Sequence, residues 1–245
     1  MGNLAGVEAM ILAGGLGTRL RSMVSDRPKV LAEVLGRPFL AYLLDQLVAA
    51  GTKRVILCVG YLGEQIRDIF GDRFTNNHGE IQLAYSQETQ LLGTGGALGL
   101  AQPLVQSAEV LVMNGDSFCG VDLPGFYDYY QQCHQQWAAI AIMALTEVPD
   151  TARYGRVELS SQGRVERFTE KGSNQGSGWI NGGIYLLDAS LLANIPLDRP
   201  ISLEADLFPQ WLKSGIYGYP SQGKFLDIGT PESYPLAASL FTEVG

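Results

Sequence analysis

A chain of 245 residues, 46% of them apolar, can bury the core of one large α/β domain. Seventeen Lys and Arg against 25 Asp and Glu leave a net charge of −8, which argues against a nucleic-acid groove and its basic face but not against a small anion held by a few local cations. No apolar run approaches the ~18 residues of a membrane span, no basic segment leads into a secretory core, and Cys58, Cys119 and Cys133 are widely spaced without a C-x-x-C, so a cytoplasmic protein with reduced thiols and no membrane partner is expected.

In chain order, residues 7–13 read as a buried strand. It runs directly into Gly14-Gly15-Leu16-Gly17-Thr18-Arg19. Glycines there let a ligand approach the main chain, exposed N–H groups form an anion-binding concavity, and Arg19 adds a planar fork suited to phosphate oxygens. The P-loop pattern fails for want of Lys-Ser/Thr, and the dinucleotide fingerprint fails because Leu20 stands where its third glycine belongs. Pro28 makes residues 25–29 a loop, and the segment 19–29 places Arg19, Arg21, Arg27 and Lys29 close together. Residues 38–50 carry apolar side chains at helical spacing and stop at Gly51. Residues 54–59, 81–85 and 110–113 read as strands, 63–70 and 95–101 as helices. This alternation implies βαβ units and a parallel sheet, with ligands outside the carboxyl ends of the strands.

The second half changes character. Residues 138–145, 155–159, 164–169 and 179–187 read as strands, the middle pair joined by Ser-Ser-Gln-Gly. Residues 202–212 read as a helix opened by Ser202, 223–226 as a short strand, and 231–240 as a closing helix capped by Thr230. Mixed pairing is expected here. Asp116, in Asn114-Gly115-Asp116-Ser117 after the buried strand 110–113, is the first candidate for a metal ligand, and Asp227 the second. Two carboxylates plus substrate phosphates suit Mg²⁺; alternatively Asp116 only caps a turn. Glycines at 93, 95 and 96 around Thr94 open a helix and offer free N–H donors to an anion. Glycines within 181–183 suggest a bulge beside Asn181. His78 and His134 read as surface or loop residues without a zinc pattern.

These segments together resemble the sugar-1-phosphate nucleotidyltransferases. Residues 12–20 with Pro28-Lys29, Leu92-Gly-Thr-Gly-Gly-Ala97, Asn114-Gly-Asp-Ser117, Asn181-Gly-Gly-Ile-Tyr185 and Phe225-Leu-Asp-Ile-Gly229 are most similar to the D-glycero-D-manno-heptose 1-phosphate guanylyltransferase branch. Val30 and Glu33 stand where that family often has proline.

The resemblance implies one Rossmann-like α/β domain over residues 1–245, its mixed, mostly parallel sheet flanked by helices. A nucleotide-binding part would span about residues 1–120 and a smaller sugar-binding lobe about 121–245. It implies that Leu12, Ala13, Gly14, Gly15, Gly17, Thr18, Glu88, Gly93 and Thr94 bind the nucleotide, with Glu88 accepting from a guanine edge. Asn114, Gly115, Glu170, Lys171, Asn181 and Gly182 would hold the sugar phosphate. Arg19, Lys29 and Asp116 would be catalytic, and Asp116 and Asp227 would bind Mg²⁺. The implied partners are a nucleoside triphosphate and a sugar 1-phosphate, with a homodimer left open.

The nucleophile would need no general base, since a sugar phosphate is substantially dianionic at pH 7. The implied reaction moves a nucleoside monophosphate from the triphosphate to the sugar 1-phosphate, releasing pyrophosphate. Mannose-1-phosphate guanylyltransferase, glucose-1-phosphate thymidylyl- or uridylyltransferase, and a non-catalytic nucleotide-sugar sensor are the alternatives.

Overall fold

The computed structural model describes residues 3–20, 23–24, 26–169, 172 and 176–242. Strand β1 (Glu8–Ala13) is followed by a two-residue hairpin, β2 (Glu33–Val34) with β3 (Arg37–Pro38), then helix α1 (Phe39–Ala49), β4 (Arg54–Val59) and α2 (Gly63–Phe70). Next come β5 (Arg73–Asn76), β6 (Gly79–Gln87), α3 (Gly93–Ala101), β7 (Glu109–Asn114), β8 (Ser117–Cys119) and α4 (Leu123–Trp137). The second half contributes β9 (Ala141–Val148), β10 (Val157–Leu159), β11 (Val165–Phe168), β12 (Gly178–Asp188), the short α5 (Phe208–Trp211), β13 (Ile216–Ser221), β14 (Phe225–Asp227) and α6 (Leu236–Thr242).

Eight strands form one sheet in the order β13-β9-β12-β7-β1-β4-β6-β5. Pairings β7·β1, β1·β4, β4·β6 and β13·β9 are parallel; β12·β7, β12·β9 and β5·β6 are antiparallel. The mixed pairing expected of the second half therefore extends the same sheet, while β10·β11 and β14·β8 form separate two-stranded pairs.

Both faces are covered, as the near-continuous apolar runs of the inner strands require. Successive side chains alternate between faces. Ala9, Ile11, Val55, Leu57, Val59, Leu111 and Met113 pack with α1, α2, α4 and α6, whereas Met10, Ile56, Cys58, Val110 and Val112 pack with α3 and residues 192–208.

Helices at 38–50, 63–70 and 95–101 are observed within two residues of expectation, as are strands 7–13, 54–59, 81–85 and 110–113. The expected helix over 202–212 is instead a π-helical turn (Leu203–Leu207) running into α5, and the closing helix begins at Leu236 after the turn capped by Thr230.

Candidate active site

Strand order reverses beside β1, which leads by α1 to β4 on one side while β7 pairs on the other. The carboxyl ends of β1 and β7 thus form the switch point where ligands bind in such sheets. The loop after β7 lies across the end of β1, with the Gly115 N–H donating to the Leu12 carbonyl at 3.0 Å. Only glycine fits there. A Cβ on residue 115 would stand 2.5 Å from the Leu12 oxygen and 2.9 Å from Val30 Cγ1.

Asp116 and Asp227 are 111 positions apart in sequence and adjacent in space. The Ile228 N–H donates to the Asp116 carbonyl at 2.9 Å, and β8 pairs with β14 so that Ser117 opposes Asp227. Lys29 opens a 3₁₀ turn anchored by buried Val30 and Leu31, and its Nζ meets Asp116 Oδ2 at 2.7 Å. The lysine side chain is only 10% exposed and Asp116 is 42% exposed, so the ammonium stands behind a carboxylate that faces solvent. Asp227 Oδ1 accepts from the Gly229 N–H at 2.6 Å. A Cβ on Gly229 would lie 2.8 Å from Lys29 Nζ and 2.5 Å from Asp227 Oδ1, so all three charged groups converge on one small region.

This donor set fits a hard divalent ion that uses few protein carboxylates and completes its shell with water and phosphate. Among the described residues no group of three or more His, Cys, Asp or Glu side chains converges, which sets the site apart from a dedicated protein cage.

The glycine loop leaves β1 beside this cluster. Thr18–Leu20 form a 3₁₀ turn pinned by buried Leu20, leaving Gly15, Thr18 and Arg19 exposed. Arg19 has no ion-pair partner among the described residues, whereas Arg27 pairs with Asp26 and Glu33. Arg21 lies outside the described residues.

Glu88 follows β6 and packs against Gly14 and Gly60. Its N–H donates to the Val59 carbonyl at 2.9 Å and its Oε2 accepts from the Leu92 N–H at 3.1 Å. Burial raises its pKa above the ordinary carboxylate value, partly offset by the Leu92 N–H.

The start of α3 corrects one expectation. The N–H groups of Gly95 and Gly96 donate to the Ile201 carbonyl at 2.8 and 3.3 Å, and Thr94 Oγ1 accepts from the Leu203 N–H at 2.8 Å. These donors are not free for an anion, because segment 201–203 caps the helix from outside. Gly93 has φ +73° and abuts the same segment.

On the other side of β7, the glycines of β12 form the expected bulge. The β12·β9 register shifts between Asn181 and Tyr185, with Gly183 at φ +76°. Gly182 packs on the Ala144 carbonyl and Cys119 Sγ.

Asn181 is committed within the protein: Nδ2 donates to the Tyr185 hydroxyl at 2.8 Å and to Glu204 Oε1 at 3.1 Å, and Oδ1 accepts from the Gly183 N–H at 2.9 Å. The buried Tyr185 hydroxyl also bonds the Asn114 side chain. Its pKa is raised, first by burial and then by the charges of Glu204 and Asp116. Glu170 and Lys171 lie outside the described residues. The Tyr154 ring packs edge-on against Phe225 at 5.7 Å, two positions before Asp227. Glu204 and Tyr185 were not singled out as site residues from sequence. A Ser-Leu-Glu opening reads as an ordinary helix start, and a tyrosine after a strand bulge reads as core.

The nucleotidyl transferase family model matches residues 8–243. A D-glycero-alpha-D-manno-heptose 1-phosphate guanylyltransferase from Aneurinibacillus thermoaerophilus is 38% identical over 93% of this chain and 95% of its own. A mannose-1-phosphate guanylyltransferase from Mycobacterium tuberculosis is 34% identical over 93% of this chain, which spans 62% of that relative. The crystal structure of HddC from Yersinia pseudotuberculosis, also solved complexed with GMP-PN, superposes with a TM-score of 0.81 at 32% identity, covering 96% of this chain and 99% of that one. A sheet whose switch point gathers Lys29, Asp116 and Asp227, matched over nearly its whole length by these proteins, identifies the chain as a member of the nucleotidyl transferase family and an enzyme.

Proposed function

We propose that this enzyme transfers a guanylyl group from GTP to a sugar 1-phosphate, with D-glycero-α-D-manno-heptose 1-phosphate as the first substrate, and releases pyrophosphate. The observation that carries the reading is the convergence of Lys29 with Asp116 and Asp227 at the switch point. Relatives named for the heptose substrate match at 37–38% identity with 95–97% of their length covered, which favours it over mannose 1-phosphate.

The sugar phosphate attacks the α-phosphorus in line and pyrophosphate leaves. The obstacle is mutual repulsion of two anions, so the work is positioning and electrostatics. Exposed Arg19 and the N–H groups of residues 14–18 are suited to the β- and γ-phosphates. Lys29, fixed by Asp116, presents its charge toward the α-phosphate. Glu88 accepts from the N1–H and N2–H₂ of guanine, a donor pair that adenine lacks. Asp116 and Asp227 would hold Mg²⁺, which supplies charge neutralisation between the two phosphates when bound. With all three cysteines buried and free and no described helix able to cross a membrane, a cytoplasmic enzyme is the fitting setting.

The test is Asp116→Asn, measured by pyrophosphate release. Turnover is expected to fall about 100-fold or more in a variant that still folds; its thermal unfolding falls below wild type, because the largely buried Lys29 loses its 2.7 Å partner. Near-normal turnover overturns the site. Parallel assays with the four triphosphates test the base.

A further inference from the structure

We infer that Glu204 is a carboxylate that reads a sugar hydroxyl, and that Asn181 is the residue that positions it rather than a sugar ligand. The inference rests on the proposed sugar-1-phosphate chemistry of the site.

Asn181 has no donor left for a substrate, since one Nδ2 hydrogen goes to Tyr185 and the other to Glu204. Its own position is set by the β12 bulge through the Gly183 N–H and by the fully buried Tyr185 hydroxyl. The amide therefore holds one oxygen of an exposed carboxylate at 3.1 Å. Glu204 Oε2 has no hydrogen-bond donor among the described residues.

Glu204 stands beside the reacting centre. The Tyr185 hydroxyl that bonds Asn181 also bonds Asn114, two positions before Asp116, and the charges of both Glu204 and Asp116 act on it. A carboxylate with one oxygen pinned and the other open is a hydrogen-bond acceptor of fixed direction. Hydroxyl donors are its natural ligand, whereas a phosphate would be repelled.

The backbone beneath Glu204 is equally fixed. Ser202 Oγ caps the π-helical turn through the Ala205 N–H at 3.1 Å, and the Leu203 N–H is tied to Thr94 at 2.8 Å. A π-turn is a recurrent marker of functional sites, and here it holds the carboxylate between the start of α3 and the β12 bulge.

Glu204→Gln tests the assignment in steady-state kinetics with GTP and manno-configured sugar 1-phosphates. The KM for the sugar phosphate is expected to rise about tenfold or more while the KM for GTP stays within about twofold, because a site built to accept from a hydroxyl loses heavily when that pairing is broken. Monodeoxy sugar 1-phosphates supply a readout that a structural role would not move. One analogue is expected to cost the wild-type enzyme about tenfold and cost Glu204→Gln little further, since the contact is already lost. Thermal unfolding of this exposed variant is expected within about 2 °C of wild type. An unchanged KM for the sugar phosphate, or equal losses in both proteins with every deoxy analogue, overturns the assignment of Glu204 alone. Absence of pyrophosphate release by the wild-type protein with every triphosphate and sugar 1-phosphate overturns the underlying reading as well.

Discussion

The Glu88 carboxyl must be ionised to accept a guanine edge, yet it sits where burial favours its protonated form. Its folded pKa lies above the unfolded value, so the folded state binds the extra proton between the two, and ionising Glu88 costs stability as pH rises through that window. Glu88→Gln is therefore expected to unfold at a higher temperature than wild type at pH 7, with the difference vanishing below the ordinary carboxylate pKa. The same variant should lose preference for GTP over ATP, read as a ratio of kcat/KM. Equal melting temperatures at pH 7, or retained preference, counts against the role. Residues such as Asp116 and Lys29 are legible in the sequence because each follows a local signal, a buried strand or a proline-fixed loop. Glu204 is not, because the hydrogen bond that orients it reaches across 23 positions to Asn181, and no local pattern records such a partner.

Elements position these groups through backbone crossings that tolerate little added volume. One of these in the site is the loop between β7 and β8, where residue 115 meets the end of β1. Gly115→Ala is expected to lower stability by about 1–3 kcal/mol through overpacking against strand backbone, seen in urea unfolding. Turnover should fall further than that loss explains, because Asp116 moves with the loop. A variant of wild-type stability and turnover would show that the crossing has slack. Periodicity made α1, β4 and α2 readable, since each has one face or both buried in a regular pattern. It failed for α4, whose first turn contains Pro124 and Gly125 and whose apolar contacts are carried by Leu123, Phe126, Tyr130 and Cys133 among glutamines and tyrosines. Proline is tolerated in a first turn because the N–H it lacks has no intrahelical acceptor there. β5 and β13 were missed for a different reason. Both are edge strands, with single apolar residues or glycine and proline in place of an apolar run. The start of α3 carries the anion-site pattern, and only the distant segment 201–203 reveals that the Gly95 and Gly96 N–H groups are taken.

Across the whole molecule, β1 separates two kinds of charge chemistry. Its carboxyl end feeds the glycine loop, and its amino end carries Glu8, about 17 Å away at the usual rise of a strand. Glu8 is buried, paired with Arg54, and accepts from the N–H groups of Gln106 and Ser107, while Arg54 also donates to the Leu104 carbonyl. Burial opposes ionisation of Glu8, but the Gln106 N–H, the Arg54 guanidinium and the Ser107 N–H together outweigh it and lower the pKa. A carboxyl with a lowered folded pKa contributes stability above its unfolded value and loses that contribution as pH falls through the folded one. Glu8→Gln leaves the Arg54 charge largely buried without its counter-ion, so a loss of about 3 kcal/mol is expected at pH 7. The gap to wild type should narrow as the pH drops below the ordinary carboxylate range and Glu8 itself becomes neutral. Urea unfolding at a series of pH values measures both. Turnover of the folded variant should match wild type, because the proposed site lies at the other end of β1. A pH-independent gap would mean that packing rather than charge holds the amino ends of β1 and β4 together, and a drop in turnover would mean that the sheet transmits the disturbance from one end of β1 to the other.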